Sequence, residues 1–134
     1  MPEAGTRSAL DLPPLSAVST FSAKPSRVGM ARQFLAGLLD ASPLATDAVL
    51  CLSELVTNAV LHSASRHPGG TFTVQATASD TSVRVEVTDD GGQWRLPEPD
   101  EVAGHGLSIV AAIATSWGVT GGDSGRTVWF EVGS

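Results

Sequence analysis

Glu54 and Asn58 stand four residues apart in the run Leu50-Cys51-Leu52-Ser53-Glu54-Leu55-Val56-Thr57-Asn58-Ala59-Val60-Leu61-His62. Residues at that spacing share a helix face, so a carboxylate and a carboxamide can reach one object. Apolar residues cover most of the remaining circumference, which predicts a mostly buried helix crossed by a narrow polar strip. Polar groups in such a place need partners, because desolvating them unpaired is costly. Glu-x-x-x-Asn alone also describes the wet strip of any amphipathic helix.

Two glycine-bearing stretches downstream extend the chemistry. Asp89 follows the alternating run Val83-Arg84-Val85-Glu86-Val87-Thr88, and Gly91 comes just after it. A carboxylate at a rigid strand end is an acceptor for an exocyclic amine such as that of adenine. A glycine beside it lets a flat ligand approach the backbone. Asp-Asp-Gly-Gly is equally ordinary turn chemistry. Gly104-His105-Gly106-Leu107 opens a further apolar run, where exposed N–H groups at a helix start would suit phosphate. It follows no strand, and no Lys-Ser/Thr follows it, so neither a dinucleotide-binding fingerprint nor a P-loop is expected.

The elements that must position these residues are legible from periodicity. Met1 to about Pro14 is rich in Pro, Ala, Gly and Ser and reads as a disordered leader; 15–134 read as one domain. Leu15 to Ser22 suits an edge strand. Pro25 starts a helix that carries Val28, Ala31, Leu35 and Leu38 to about Asp40. Ser42-Pro43 is a helix start for the central helix, which runs to about His62. Thr71–Ala78 and Val83–Thr88 alternate and form a hairpin with Val83, Val85 and Val87 toward a core. Gln93 to Ala103, with two Pro and three acids, is an irregular loop. A helix through Ile109, Val110 and Ile113 follows, then strands at Trp117–Thr120 and Arg126–Val132. The order predicts an α+β two-layer sandwich: a mixed, largely antiparallel sheet with helices on one face.

The chain has 134 residues, 42 % of them hydrophobic, and a formal net charge of −6. That acidity argues against nucleic acid or an anionic membrane as partner. No run approaches the roughly 18 apolar residues of a membrane span, and Met1 to Leu12 lacks the basic-then-apolar order of a signal peptide. The lone Cys51 sits on an apolar helix face and reads as structural, which fits a cytoplasmic location.

The ordered set of Glu-x-x-x-Asn, Asp-x-Gly and Gly-x-Gly-Leu resembles the GHKL superfamily of ATP-binding domains (the Bergerat fold), found in histidine kinases and gyrase. Ser53 to His62, Asp89-Asp90-Gly91, Gly104-His105-Gly106-Leu107 and Gly125 to Glu131 are most similar to the stand-alone bacterial anti-sigma factor serine/threonine kinases. The resemblance spans about Ser16 to Val132. It implies Mg²⁺ and ATP as cofactors, Asn58 as Mg²⁺ ligand and Glu54 as general base toward a substrate serine. It implies Asp89 as the adenine-binding carboxylate with Gly91 beside it, and Thr127 as the hydroxyl that supports Asp89 from a neighbouring strand. Gly104, His105, Gly106 and Leu107 would form the phosphate side. His62 matches a family histidine, or is simply a helix C-terminal residue favoured by the dipole. Gln93 stands where the family's last glycine falls, and Arg126 where Lys is common. The implied function is phosphorylation of an anti-sigma-antagonist partner, controlling a sigma factor; the alternative is a nucleotide-binding module that sequesters a partner without phosphoryl transfer. A homodimer through apolar residues of the first strand is expected by analogy. With no dimerisation helix pair in these residues, a complete histidine kinase is not expected.

Overall fold

The computed structural model describes residues 15–62, 68–91, 107–122 and 124–133. The leader, the Gln93–Ala103 loop and Gly104-His105-Gly106 lie outside the described residues. Strands β1 (Leu15–Ser22), β2 (Thr71–Ala78), β3 (Ser82–Asp89), β4 (Ser116–Gly122) and β5 (Gly125–Gly133) form one sheet in the order β1-β2-β3-β5-β4. Helices α1 (Ser26–Leu38), α2 (Ala45–His62) and α3 (Leu107–Ile113) complete the described elements. Every strand pairing is antiparallel, so the expected largely antiparallel sheet carries no parallel pair among these strands.

Period-two alternation assigns the two sheet faces. Phe72, Val74, Ala76 and Ala78 of β2, Val83, Val85 and Val87 of β3, and Val128, Phe130 and Val132 of β5 are all buried. α2 packs on this face against β2, β3 and β5, and touches both other helices. On β1, Phe21 stacks on Phe72 at 5.3 Å between ring centroids and meets Phe34 of α1 edge-on at 6.2 Å. The opposite face is polar. There Arg84 bonds Glu131 at 2.9 Å and Glu86 at 3.2 Å, and its guanidinium lies 4.1 Å over the Trp129 ring. Gly118 faces that ring from β4, and a Cβ there would press into the indole, about 3.0 Å from it.

The connections follow local chemistry. The Ser42 hydroxyl accepts the Leu44 N–H at 3.1 Å, and the Ser42 carbonyl accepts the Ala45 N–H, so Ser42 caps the start of α2 as its type predicts. In the β2–β3 turn, the Ser79 hydroxyl accepts the N–H groups of Thr81 and Ser82. Among the described residues, no helix is long and apolar enough to cross a membrane.

α2 departs from expectation in one respect. Its buried residues, Ala48, Cys51, Leu52, Leu55, Val56, Ala59 and Val60, form a single stripe, while Leu50 and Leu61 are 42 % and 48 % exposed. The helix is one-sided rather than buried around most of its circumference. A single sheet lies beneath it and α1 and α3 flank it, so apolar residues on the outward side have nothing to bury against.

Candidate functional site

The polar strip of α2 and the end of β3 meet. Leu55, Asn58 and Ala59 of α2, with Val87 and Asp89 of β3 and Val128 of β5, line one small cavity. Asp89 reaches it because it extends the inward series Val83, Val85, Val87 by one step, which leaves it 9 % exposed. Its Oδ1 accepts the Gly91 N–H at 2.6 Å, and Gly91 takes a φ of 76°, in the left-handed region that glycine enters without strain. Burial pushes the Asp89 carboxyl above its ordinary range; the Gly91 N–H and the positive charge of Arg126 pull the other way, and Asp90 adds to the rise.

Asn58 carries the more informative feature. Its Nδ2 is buried and has no hydrogen-bond partner among the described residues. Leaving such a group unpaired costs about 1–3 kcal/mol, so an orphan beside a cavity is a place where a ligand restores the balance. Rotation of the carboxamide exchanges its oxygen and nitrogen, so either can face an incoming group. Glu54, one turn earlier, is half-buried and outside that cavity lining. Among the described residues, no group of three or more His, Cys, Asp or Glu could hold a metal ion by itself. A Mg²⁺ here would take a carboxamide oxygen and rely on phosphate and water for its other ligands, which is how this cation is usually bound alongside phosphates.

Thr127 is placed elsewhere. It pairs with Thr88 in the β3–β5 register, and the two hydroxyls bond at 2.8 Å on the polar face of the sheet. Its hydroxyl therefore does not support Asp89, whose side chain lies on the other face. The residue opposite Asp89 is Arg126, 6 % exposed. Counting back by twos from Phe130 and Val128 would have found it, since all three share a face. Leu107 is fully buried in the core, so its side chain anchors α3 and only its backbone remains for a ligand. Gly104, His105 and Gly106 lie outside the described residues.

The family profile described as the histidine kinase-like ATPase domain matches residues 21–132. The chain belongs to that family. Like other histidine kinase-like ATPase domains, it thus has the GHKL-type fold, whose form among the described residues is a five-stranded open sheet under three helices. Among solved structures it is similar to the RsbU and RsbW domains of Rv1364c from Mycobacterium tuberculosis, at 25 % sequence identity and a TM-score of 0.62. That likeness covers 90 % of this chain and 32 % of the other, so this chain spans about a third of that chain's length. A comparison with curated proteins gives no match.

Cys51 is excluded from the chemistry. It is fully buried, and burial, with Asp47 and Glu54 adding negative charge nearby, pushes its thiol up to about 11. The folded protein should resist alkylation at pH 8 and react at once in denaturant; equal rates in both states would place the thiol at the surface. In the unfolded chain the thiol ionises near its ordinary value of 9.0, before the folded one does. Stability should therefore be unaffected by this group below that pH and fall between it and about 11.

Proposed function

We propose that this domain binds ATP with Mg²⁺ and transfers the γ-phosphoryl group to a serine hydroxyl of an anti-sigma-antagonist protein, so that the supply of a sigma factor follows the phosphorylation state of that partner. The observation that carries the reading is the convergence of Asn58, whose buried nitrogen has no partner among the described residues, with the buried Asp89 carboxylate, in a chain of the histidine kinase-like ATPase family. The likeness to a structure of RsbU and RsbW domains supports the anti-sigma part of the reading.

The residues divide the work. Asp89 accepts the exocyclic amine of adenine, and Gly91 leaves room for the ring beside the backbone. Asn58 contributes an oxygen to Mg²⁺, and Gly104, His105 and Gly106 contribute backbone to the phosphate side. Bound Mg²⁺ neutralises charge on the phosphate oxygens. Glu54 orients the partner's serine and takes its proton. The serine oxygen forms the new bond to the γ-phosphorus, the bridging bond to the β-phosphate breaks, and ADP leaves with that oxygen.

The test is incubation of the full chain with γ-labelled ATP, Mg²⁺ and candidate anti-sigma-antagonist proteins. Label on a partner serine supports the kinase. Tight ATP binding with no transfer to any of them replaces it with a module that sequesters its partner. Asn58→Leu provides a second check. Leu keeps the branched shape of the side chain, though it is larger, and removes the orphaned nitrogen, so the variant should stay folded while losing at least tenfold in Mg-ATP affinity. Unfolding of the variant, or unchanged Mg-ATP affinity, would make the carboxamide a structural group.

A further inference from the structure

Arg126 is a charged residue on the core face of β5. Val128, Phe130 and Val132 point inward, and Arg126 continues their series to the end of the sheet, where it is 6 % exposed. Its register partner across β3 is Asp89. Side chains directly opposite in an antiparallel pair stand about 4.5–5.5 Å apart at Cβ, within reach of each other's charge. The positive charge of Arg126 indeed acts on the Asp89 carboxyl. Packing alone does not call for this residue, since burying a guanidinium is costly and an apolar residue would continue the stripe of β5. Asp89, the partner of Arg126 in that register, lines the small cavity shared with Asn58.

We propose that Arg126 reads the nucleobase together with Asp89: the carboxylate accepts the 6-amine of adenine and the guanidinium donates to the neighbouring ring nitrogen, N1. This deepens the ATP-binding reading above and rests on it. The Watson–Crick edge of adenine offers a donor and then an acceptor, and the Asp89–Arg126 pair offers an acceptor and then a donor. The guanidinium has five N–H donors in a rigid fork, so one edge can serve the carboxylate while another faces the base. Asp89 is held for this task from the other side, where its Oδ1 accepts the Gly91 N–H.

Calorimetry with Mg²⁺ and three triphosphates tests the assignment: ATP, 1-deaza-ATP, in which a C–H replaces N1, and purine riboside triphosphate, which lacks the 6-amine. A hydrogen bond from a charged donor corresponds to about tenfold or more in affinity. The wild type should bind 1-deaza-ATP at least that much more weakly than ATP. Arg126→Met should bind ATP about as weakly as the wild type binds 1-deaza-ATP, no longer distinguish those two, and still prefer ATP over the riboside lacking the amine. Arg126→Lys should recover part of the N1 preference. Equal wild-type affinity for ATP and 1-deaza-ATP overturns the proposal, and this comparison decides it even where Arg126→Met does not fold. An equal loss for all three ligands in Arg126→Met assigns the arginine a structural role, and tighter ATP binding makes it an obstacle; either overturns the proposal. A wild type that binds none of the three removes the ATP-binding reading as well, a result distinct from the others.

Discussion

Glu54→Ala is expected to retain Mg-ATP and partner binding and to lose about 10²–10⁴-fold in the rate of the proposed phosphoryl transfer. A carboxylate that orients a serine hydroxyl and takes its proton acts in the transfer step and adds little to holding the nucleotide. Its position agrees with that division. Glu54 lies on the same face of α2 as Asn58 but outside the cavity that Asn58 shares with Asp89. A residual rate is expected, because positioning and phosphate neutralisation carry much of this chemistry without a base. Calorimetry and a labelled-phosphate assay on the same samples separate the outcomes. Joint loss of binding and transfer would make Glu54 part of the nucleotide site, and an unchanged rate would remove it from the mechanism.

Phe130→Ala should cost about 3–5 kcal/mol of folding stability, a large part of the roughly 5–15 kcal/mol that a domain has. Phe130 is fully buried on β5, with Val85 opposite it on β3 and Trp117 opposite it on β4. Truncation there leaves a cavity at the centre of the sheet, where strands on both sides limit collapse. Its neighbour Trp129 is the internal control. It lies on the polar face under Arg84, an exposed cation–π contact of about 0.5–1 kcal/mol, so Trp129→Ala should cost clearly less. Urea denaturation with unchanged slope measures both. A larger loss for Trp129→Ala would reverse the assignment of the two faces.

Residues close in sequence and bound by one period were legible without the fold. Four-residue spacing put Glu54 and Asn58 on one helix face, and alternation turned Val83, Val85 and Val87 inward. Ser42 announced the start of α2. The order of the three motifs carried the family, later matched over residues 21–132. These features depend on φ/ψ preference and side-chain chemistry within a few residues, which a sequence displays directly. The outward side of α2 did not follow in the same way. Leu50 and Leu61 look like core residues in a one-dimensional pattern, and only the number of layers above the helix decides that they face solvent. The site was decided further still by pairing. Asn58 and Asp89 meet because α2 lies across β3, and Arg126 rather than Thr127 stands against Asp89 because the β3–β5 register aligns them. A shift of that register by one residue would exchange the two faces of β5. Register between strands far apart in sequence is set by the whole buried face finding cover at once, so it belongs to the tertiary structure and is written in no single motif.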